Sequence, residues 1–358
     1  MNILFLNSKK SWAGVVSWKT TLAKNLISKG HNCFIVTGRN SALAKNKPDD
    51  LELHTIKFGM NYNPWTLFFF IKFIRKHKID IIVTNIKKEV IFGGIAGKLT
   101  GVTVVRRIGN EKDFKSGKFL DSNFVDHFLF PCDYTRKLAI NKIKWLDPKK
   151  TKVIHTGKII PEFSDAEIAD KRESWGAKKD DIVIGISDRL DKNKGIDLLI
   201  KVFASLSQKY DNIKLVITGK GSFGTQLEEL VDELNIRERV LFAGFVTDVM
   251  LTARSYDLAV LASYLESFPN SVIEYMASNT AVICTDVGGV SELVYNGSNG
   301  FLIPKQNENE LRSALEKLIT NKNLRQSFAI NALDTIKKGF TEDKMADKVI
   351  EFFNEIKR

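Results

Sequence analysis

Two glutamates set eight positions apart, Glu266 and Glu274, flank a Phe-Pro-Asn turn in the stretch YLESFPNSVIEYMASNTAVICTDVGG. Pro269 suits the first turn of a helix, where its missing N–H costs nothing, so Glu266 falls on the loop ahead of a helix and Glu274 about one turn inside it. Both carboxylates are then expected to face one crevice. The start of that helix offers free N–H groups and a partial positive charge, which suit a phosphate or a sugar hydroxyl.

Three further loops carry residues able to act beside them. Each follows an apolar, strand-like run and precedes a helix, and such loops hold the ligand in open parallel sheets. After IVIGIS come Arg189 and Lys194, two cations just ahead of a helix starting near Ile196, a diphosphate-binding arrangement. After KLVITG comes Lys220-Gly221-Ser222, whose glycine lets backbone approach a ligand closely. After VLFAGF, the main chain around Gly244, Phe245 and Val246 is placed to meet a flat base. Each loop alone is a common turn, and their order is the specific signal.

The elements that must position these loops read as two series of alternating strands and helices, hence two parallel sheets. The first comprises Asn2–Asn7, His31–Thr37, His54–Phe58, Ile79–Thr84, Thr103–Arg107 and His127–Phe130; the second begins at Asp181. The polar stretch Pro161–Lys179 reads as the linker. The expected division is an N-terminal domain over 1–165, a C-terminal domain over 166–340, and an amphipathic helix over 341–358 that packs back on the first domain. Pro64–Lys78, PWTLFFFIKFIRKHK, reads as a core helix, with an interfacial membrane helix as the alternative.

Composition narrows the class. Of 358 residues, 44% are hydrophobic and 27% charged, without an apolar run long enough to span a bilayer. MNILFLNSKK is too short in its apolar part for a secretory leader, so a cytoplasmic location is expected. Cys33, Cys132 and Cys284 sit in apolar runs and read as reduced core residues rather than disulfide or zinc ligands. The net charge of +12 is uneven: residues 1–165 hold 29 Lys+Arg against 13 Asp+Glu, and the remainder 25 against 29. Such asymmetry points to an anionic partner: nucleic acid, a membrane surface or a phosphorylated substrate. No nucleic-acid-binding motif accompanies it.

The C-terminal half resembles the donor domain of the retaining family-4 glycosyltransferases, which have the glycosyltransferase-B fold. The residues carrying the resemblance are Arg189-Leu190 to Lys194-Gly195, Gly219-Lys220-Gly221, Glu266-Ser267-Phe268-Pro269 to Glu274, Gly288-Gly289 with Glu292, and Asn296-Gly297 to Gly300. The resemblance implies an α/β chain of two doubly wound Rossmann-like domains facing each other across a cleft. It implies transfer of a sugar from a nucleotide-sugar, UDP-sugar foremost, with retention of configuration and without a metal or other cofactor. Arg189 and Lys194 would hold the departing diphosphate, Glu266 would touch the transferred sugar and Glu274 would bind the ribose. Gly14, Gly221, Gly244, Phe245, Val246, Phe268, Pro269, Asn270 and Ser271 complete the expected donor site. Loss of Lys194 is expected to cost catalysis far more than stability.

The N-terminal half resembles the family in layout and in its glycine loop alone. Where many members carry a histidine after TVVRRIGNEKDF's strand, this chain has Gly109 or Asn110. Arg106 and Arg107 at that strand end are candidates for an acceptor anion, or for a structural network with Glu111 and Asp113. The expected acceptor is a cell-envelope glycan or glycolipid, such as lipopolysaccharide core, met at the inner face of the membrane. A nucleotide-sugar epimerase or a noncatalytic sugar-nucleotide-binding protein on the same fold is the alternative. A dehydrogenase fits poorly, since no G-x-G-x-x-G turn with its distal acid occurs.

Overall fold

The computed structural model describes residues 1–12, 14–58, 63–109 and 118–358. The chain divides into two compact units, one formed by 1–157 with 342–358 and the other by 158–341.

The N-terminal unit holds a seven-stranded parallel sheet of β1 Asn2–Asn7, β2 Asn32–Gly38, β3 Glu52–Ile56, β4 Ile81–Thr84, β5 Thr103–Arg107, β6 His127–Phe130 and β7 Thr151–Val153, in the order β3-β2-β1-β4-β5-β6-β7. Side chains of a strand alternate between faces, so each buried strand must feed two cores. Ile3 and Phe5 join one cluster with Trp18, Leu22 and Leu26 of helix Gly14–Ser28 and with Met345, Val349 and Phe353 of helix Glu342–Ile356. Leu4 and Leu6 join the opposite cluster with Phe70, Phe73 and Ile74 of helix Pro64–Lys76.

That helix is capped by Asn63, whose side chain accepts from the Trp65 N–H at 3.0 Å. It buries Phe70, Phe73 and Ile74 as a core helix does, yet it leaves Trp65 80% and Phe68 62% exposed. No helix among the described residues is long and apolar enough to cross a membrane.

The C-terminal unit holds a six-stranded parallel sheet of β8 Ile182–Ser187, β9 Ile213–Thr218, β10 Val240–Gly244, β11 Leu258–Leu261, β12 Ala281–Thr285 and β13 Phe301–Ile303, in the order β10-β9-β8-β11-β12-β13. The sequence reverses direction at β8, between β9 and β11. The carboxyl ends of β8, β9, β10 and β11 therefore bring the four singled-out loops to one edge.

Two element assignments differ from the expectation. The third strand lies at Glu52–Ile56, not His54–Phe58, because it is a half-buried edge strand without a continuous apolar run. The segment 161–179 contains helix Asp165–Ser174 within the C-terminal unit, started by a capping box between Ser164 and Glu167. Cys33, Cys132 and Cys284 are buried and form no disulfide.

Candidate active site

The loop leaving β8 is pinned from two sides. The Asp188 N–H donates to the Thr218 carbonyl at 3.1 Å, and the Leu190 carbonyl accepts from the Phe223 N–H at 2.8 Å. Gly219, at φ +131°, has no room for a side chain, since a Cβ there would lie 1.8 Å from the Asp188 carbonyl oxygen. At Gly221 it would lie 2.2 Å from that of Leu190. The glycines after β9 thus let one loop lie against another.

The same packing buries Lys194. A short 3-10 turn, Lys192–Lys194, ends at Gly195 in the left-handed region, where a Cβ would strike the Ala262 carbonyl oxygen at 2.2 Å. Helix Ile196–Ser207 starts there. The Lys194 ammonium stands 2.7 Å from Asp188 Oδ2 and 2.6 Å from Glu266 Oε1. Glu266 is itself positioned by the Gly288-Gly289 turn: the Gly289 N–H donates to the Ser267 carbonyl at 2.8 Å, and Gly288 lies against the Glu266 carbonyl.

Two carboxylates on one ammonium make a cluster of net charge −1. For Lys194, burial opposes the charge, but Asp188 and Glu266 outweigh it and hold the ammonium above its ordinary range. For Asp188, burial dominates and pushes the carboxyl up; Lys194 opposes this and the neighbouring charge of Glu266 adds to it. Arg189, by contrast, is 74% exposed and reaches Asp191 Oδ2 at 2.9 Å.

Glu274 lies in helix Asn270–Ala277, with Pro269 immediately before the helix rather than inside it. The helix is fixed by Val272, Ile273 and Met276 in the core and by the Tyr275 hydroxyl, which accepts from the Ser187 N–H at 2.6 Å. The Glu274 carboxylate pairs with Lys158 at 2.6 Å. The two glutamates therefore hold separate lysines instead of sharing one counter-charge. Phe268 is buried, its ring 6.2 Å from that of Phe340. Asn270 and Ser271 open the helix half-buried. At the end of β10, Gly244 has φ +68°, Phe245 is exposed and Val246 half-buried.

In the N-terminal unit, Gly14 opens the helix after β1. Arg106 is 1% exposed, donates through Nε to the Asn85 carbonyl at 3.2 Å and is paired with Asp121. Its guanidinium is thus engaged inside the unit, buried beside a carboxylate fifteen residues on, as one of the two expectations for it had it. Arg107 is also buried, with its guanidinium 4.5 Å from the centre of the Trp18 ring. Asn110, Glu111 and Asp113 lie outside the described residues.

Asp188 and Lys158 were not singled out by sequence reasoning. Asp188 had a signal, an acid six residues before the key lysine on the same loop, whereas Lys158 is 116 residues from Glu274 and had none. A third group, Glu89, accepts from Lys19 at 3.0 Å, from the Ser8 N–H at 2.9 Å and from the Asn85 N–H at 2.8 Å, tying down the loop after β1.

The chain thus holds two parallel-sheet units, with basic and acidic loops converging at the carboxyl edge of the second sheet. Residues 12–157 match the family model described as Glycosyltransferase Family 4, and residues 167–335 match that described as Glycosyl transferases group 1. The chain belongs to the group 1, family-4 glycosyltransferases.

Among curated relatives, it is 30% identical over 210 residues to the N-acetylgalactosamine-N,N'-diacetylbacillosaminyl-diphospho-undecaprenol 4-alpha-N-acetylgalactosaminyltransferase of Campylobacter jejuni, covering 57% of this chain and 54% of that protein. It is 26% identical over 305 residues to the UDP-Gal:alpha-D-GlcNAc-diphosphoundecaprenol alpha-1,3-galactosyltransferase of Escherichia coli, covering 79% and 77%. The match spans about half the length of the first of these relatives. Among solved structures, Anabaena Alr3699/HepE in complex with UDP superposes with a TM-score of 0.86 at 21% identity, over 99% of this chain and 100% of that one. That likeness is one of fold: two Rossmann-like domains of the glycosyltransferase-B type.

Proposed function

We propose that this protein is a retaining, metal-independent glycosyltransferase that moves a sugar from a UDP-sugar to a cell-envelope glycan or glycolipid. The observation carrying the proposal is Lys194, a lysine buried beside a helix start at the carboxyl edge of the sheet and held by Asp188 and Glu266. In this reading Lys194 and Arg189 receive the diphosphate, Glu266 meets the sugar and Glu274 the ribose. As the glycosidic bond breaks, charge gathers on the departing phosphate, and fixed cations with helix-end amides stabilise it in place of a divalent ion. The acceptor hydroxyl attacks from the face the phosphate leaves and passes its proton to the departing oxygen. For Lys194 to serve, the diphosphate must take over contacts now made by Asp188.

The UDP-sugar and the envelope acceptor are supported by the relatives' names, two of which carry diphospho-undecaprenol acceptors, and by UDP in the Anabaena neighbour. For the acceptor side we propose contact with an anionic lipid surface. Supporting it are the excess of basic residues in 1–165 and the exposed stripe of helix Pro64–Lys76, where Trp65 and Phe68 continue into Lys72, Arg75 and Lys76. The test is to supply UDP-sugars with sugar-diphospho-undecaprenol acceptors in excess chelator and read the new anomeric proton by NMR. An α-linked product from an α-donor is expected. A β-linked product, or activity lost in chelator and restored by magnesium, would overturn the mechanism.

A further inference from the structure

The carboxylate assigned to the ribose is already engaged on one side. Lys158 Nζ lies 2.6 Å from Glu274 Oε1, with the two side chains 24% and 15% exposed. Lys158 is fixed in turn. Its N–H donates to the Phe340 carbonyl at 2.9 Å, and it pairs with Thr341 in a parallel bridge. Phe340 also packs against Phe268, two residues before helix Asn270–Ala277. The two ends of the C-terminal unit, residues 158 and 340–341, therefore lie side by side, one contacting Glu274 within this helix and the other Phe268 just ahead of it.

A glutamate on a helix turns freely about its last bonds, so a carboxylate meant to recognise a diol must be oriented before the ligand arrives. An ion pair to one oxygen supplies that orientation and leaves the other, Oε2, for a hydroxyl. A lysine serving merely to tie the chain ends together would not need its ammonium at Glu274, because the main-chain bond to Phe340 and the bridge to Thr341 already do so. An exposed ion pair would carry little weight here, but this one is mostly buried between fixed elements.

We propose that Lys158 is a positioning residue for the nucleotide: it holds the Glu274 carboxylate so that Oε2 meets the ribose hydroxyls of a nucleoside diphosphate, giving preference for ribo- over 2′-deoxyribonucleotide. This inference rests on the assignment of Glu274 to the ribose.

The test is calorimetric binding of UDP, GDP and ADP to the full chain, followed by the 2′-deoxy form of the tightest. The intact protein should prefer the ribo form by about tenfold or more, the effect of one hydrogen bond to a charged group. Lys158→Met should weaken the ribo form about tenfold while changing the deoxy form by less than about twofold, so the preference collapses. Lys158→Arg should restore it. Equal losses for both nucleotides in Lys158→Met, or an unchanged preference, would overturn the inference. Glu274→Gln separates the two claims: preference lost in Glu274→Gln but kept in Lys158→Met removes only the lysine, whereas preference kept in both, or no binding of any diphosphate, removes the ribose assignment and the inference with it. Should Lys158→Met fail to fold, Lys158→Gln is read by the same criteria.

Discussion

Replacing Lys194 by alanine strips two partly buried carboxylates of their shared counter-charge. Asp188 and Glu266 both contact the ammonium, at 2.7 and 2.6 Å, with side chains only 16% and 13% exposed. Removing one member of a buried ion pair costs about 3–5 kcal/mol. Residual solvent access, and the ability of a carboxyl to take up a proton, reduce this to about 2–3 kcal/mol near neutral pH. Burial of Lys194, which its loop position does not reveal, argues for a stability cost alongside the expected loss of catalysis.

The pH dependence follows from the sign of the Asp188 shift. Its carboxyl is already raised by burial with Lys194 present, and loss of the lysine raises it further. A carboxyl whose folded pKa exceeds its unfolded value favours folding below the unfolded pKa, and that contribution is lost as pH rises through the folded one. The deficit of Lys194→Ala should therefore be largest near pH 7.5 and shrink toward pH 5. Urea unfolding followed at both pH values reads this directly, and about 2–3 kcal/mol corresponds to a fall of roughly 5–10 °C in the melting of a unit this size. A mutant as stable as the parent at pH 7.5, or a deficit independent of pH, would refute the reasoning. Asp188→Asn in the Lys194→Ala background should recover part of the loss.

Glu274→Gln is expected to lower sugar transfer by about 10- to 1000-fold through weaker donor binding, checked by steady-state kinetics at varied donor. Gly219→Ala should disrupt the donor edge, since the added carbon would lie 1.8 Å from the Asp188 carbonyl oxygen; loss of nucleotide binding with both sheets retained by circular dichroism is the expected result. Co-sedimentation with anionic but not neutral vesicles is expected at low salt, weakening as salt screens the charge, and Trp65→Ser with Phe68→Ser should reduce it while leaving transfer to a soluble acceptor unchanged.

The four donor-edge loops were legible because their determinants are local. Gly195, Gly219 and Gly288 hold backbone conformations with positive φ, and each faces a carbonyl that excludes any side chain. Such constraints leave glycines at fixed spacings in the sequence. The ion pairs were not legible, since Lys158 meets Glu274 through chain crossings that no local pattern encodes. Arg106 shows an intermediate case. A nearby acid partner was one of two expectations for it, and Asp121 on the following helix pairs with it, a partner that burial and not local spacing selects. The helix in the supposed linker did leave a readable mark: Ser164 and Glu167 have capping-box spacing, and the polarity of the segment masked it.

The direct test of the donor assignment is the melting temperature of the protein in excess chelator with UDP-, GDP- and ADP-sugars, each compared with Glu274→Gln and Arg189→Ala. A donor at a hundredfold excess over its dissociation constant stabilises the folded state by about 2.7 kcal/mol. We predict that a UDP-sugar raises the melting temperature by roughly 5–10 °C without metal, and that both substitutions diminish the rise. No shift with any sugar nucleotide, or a shift undiminished by either substitution, would contradict the account.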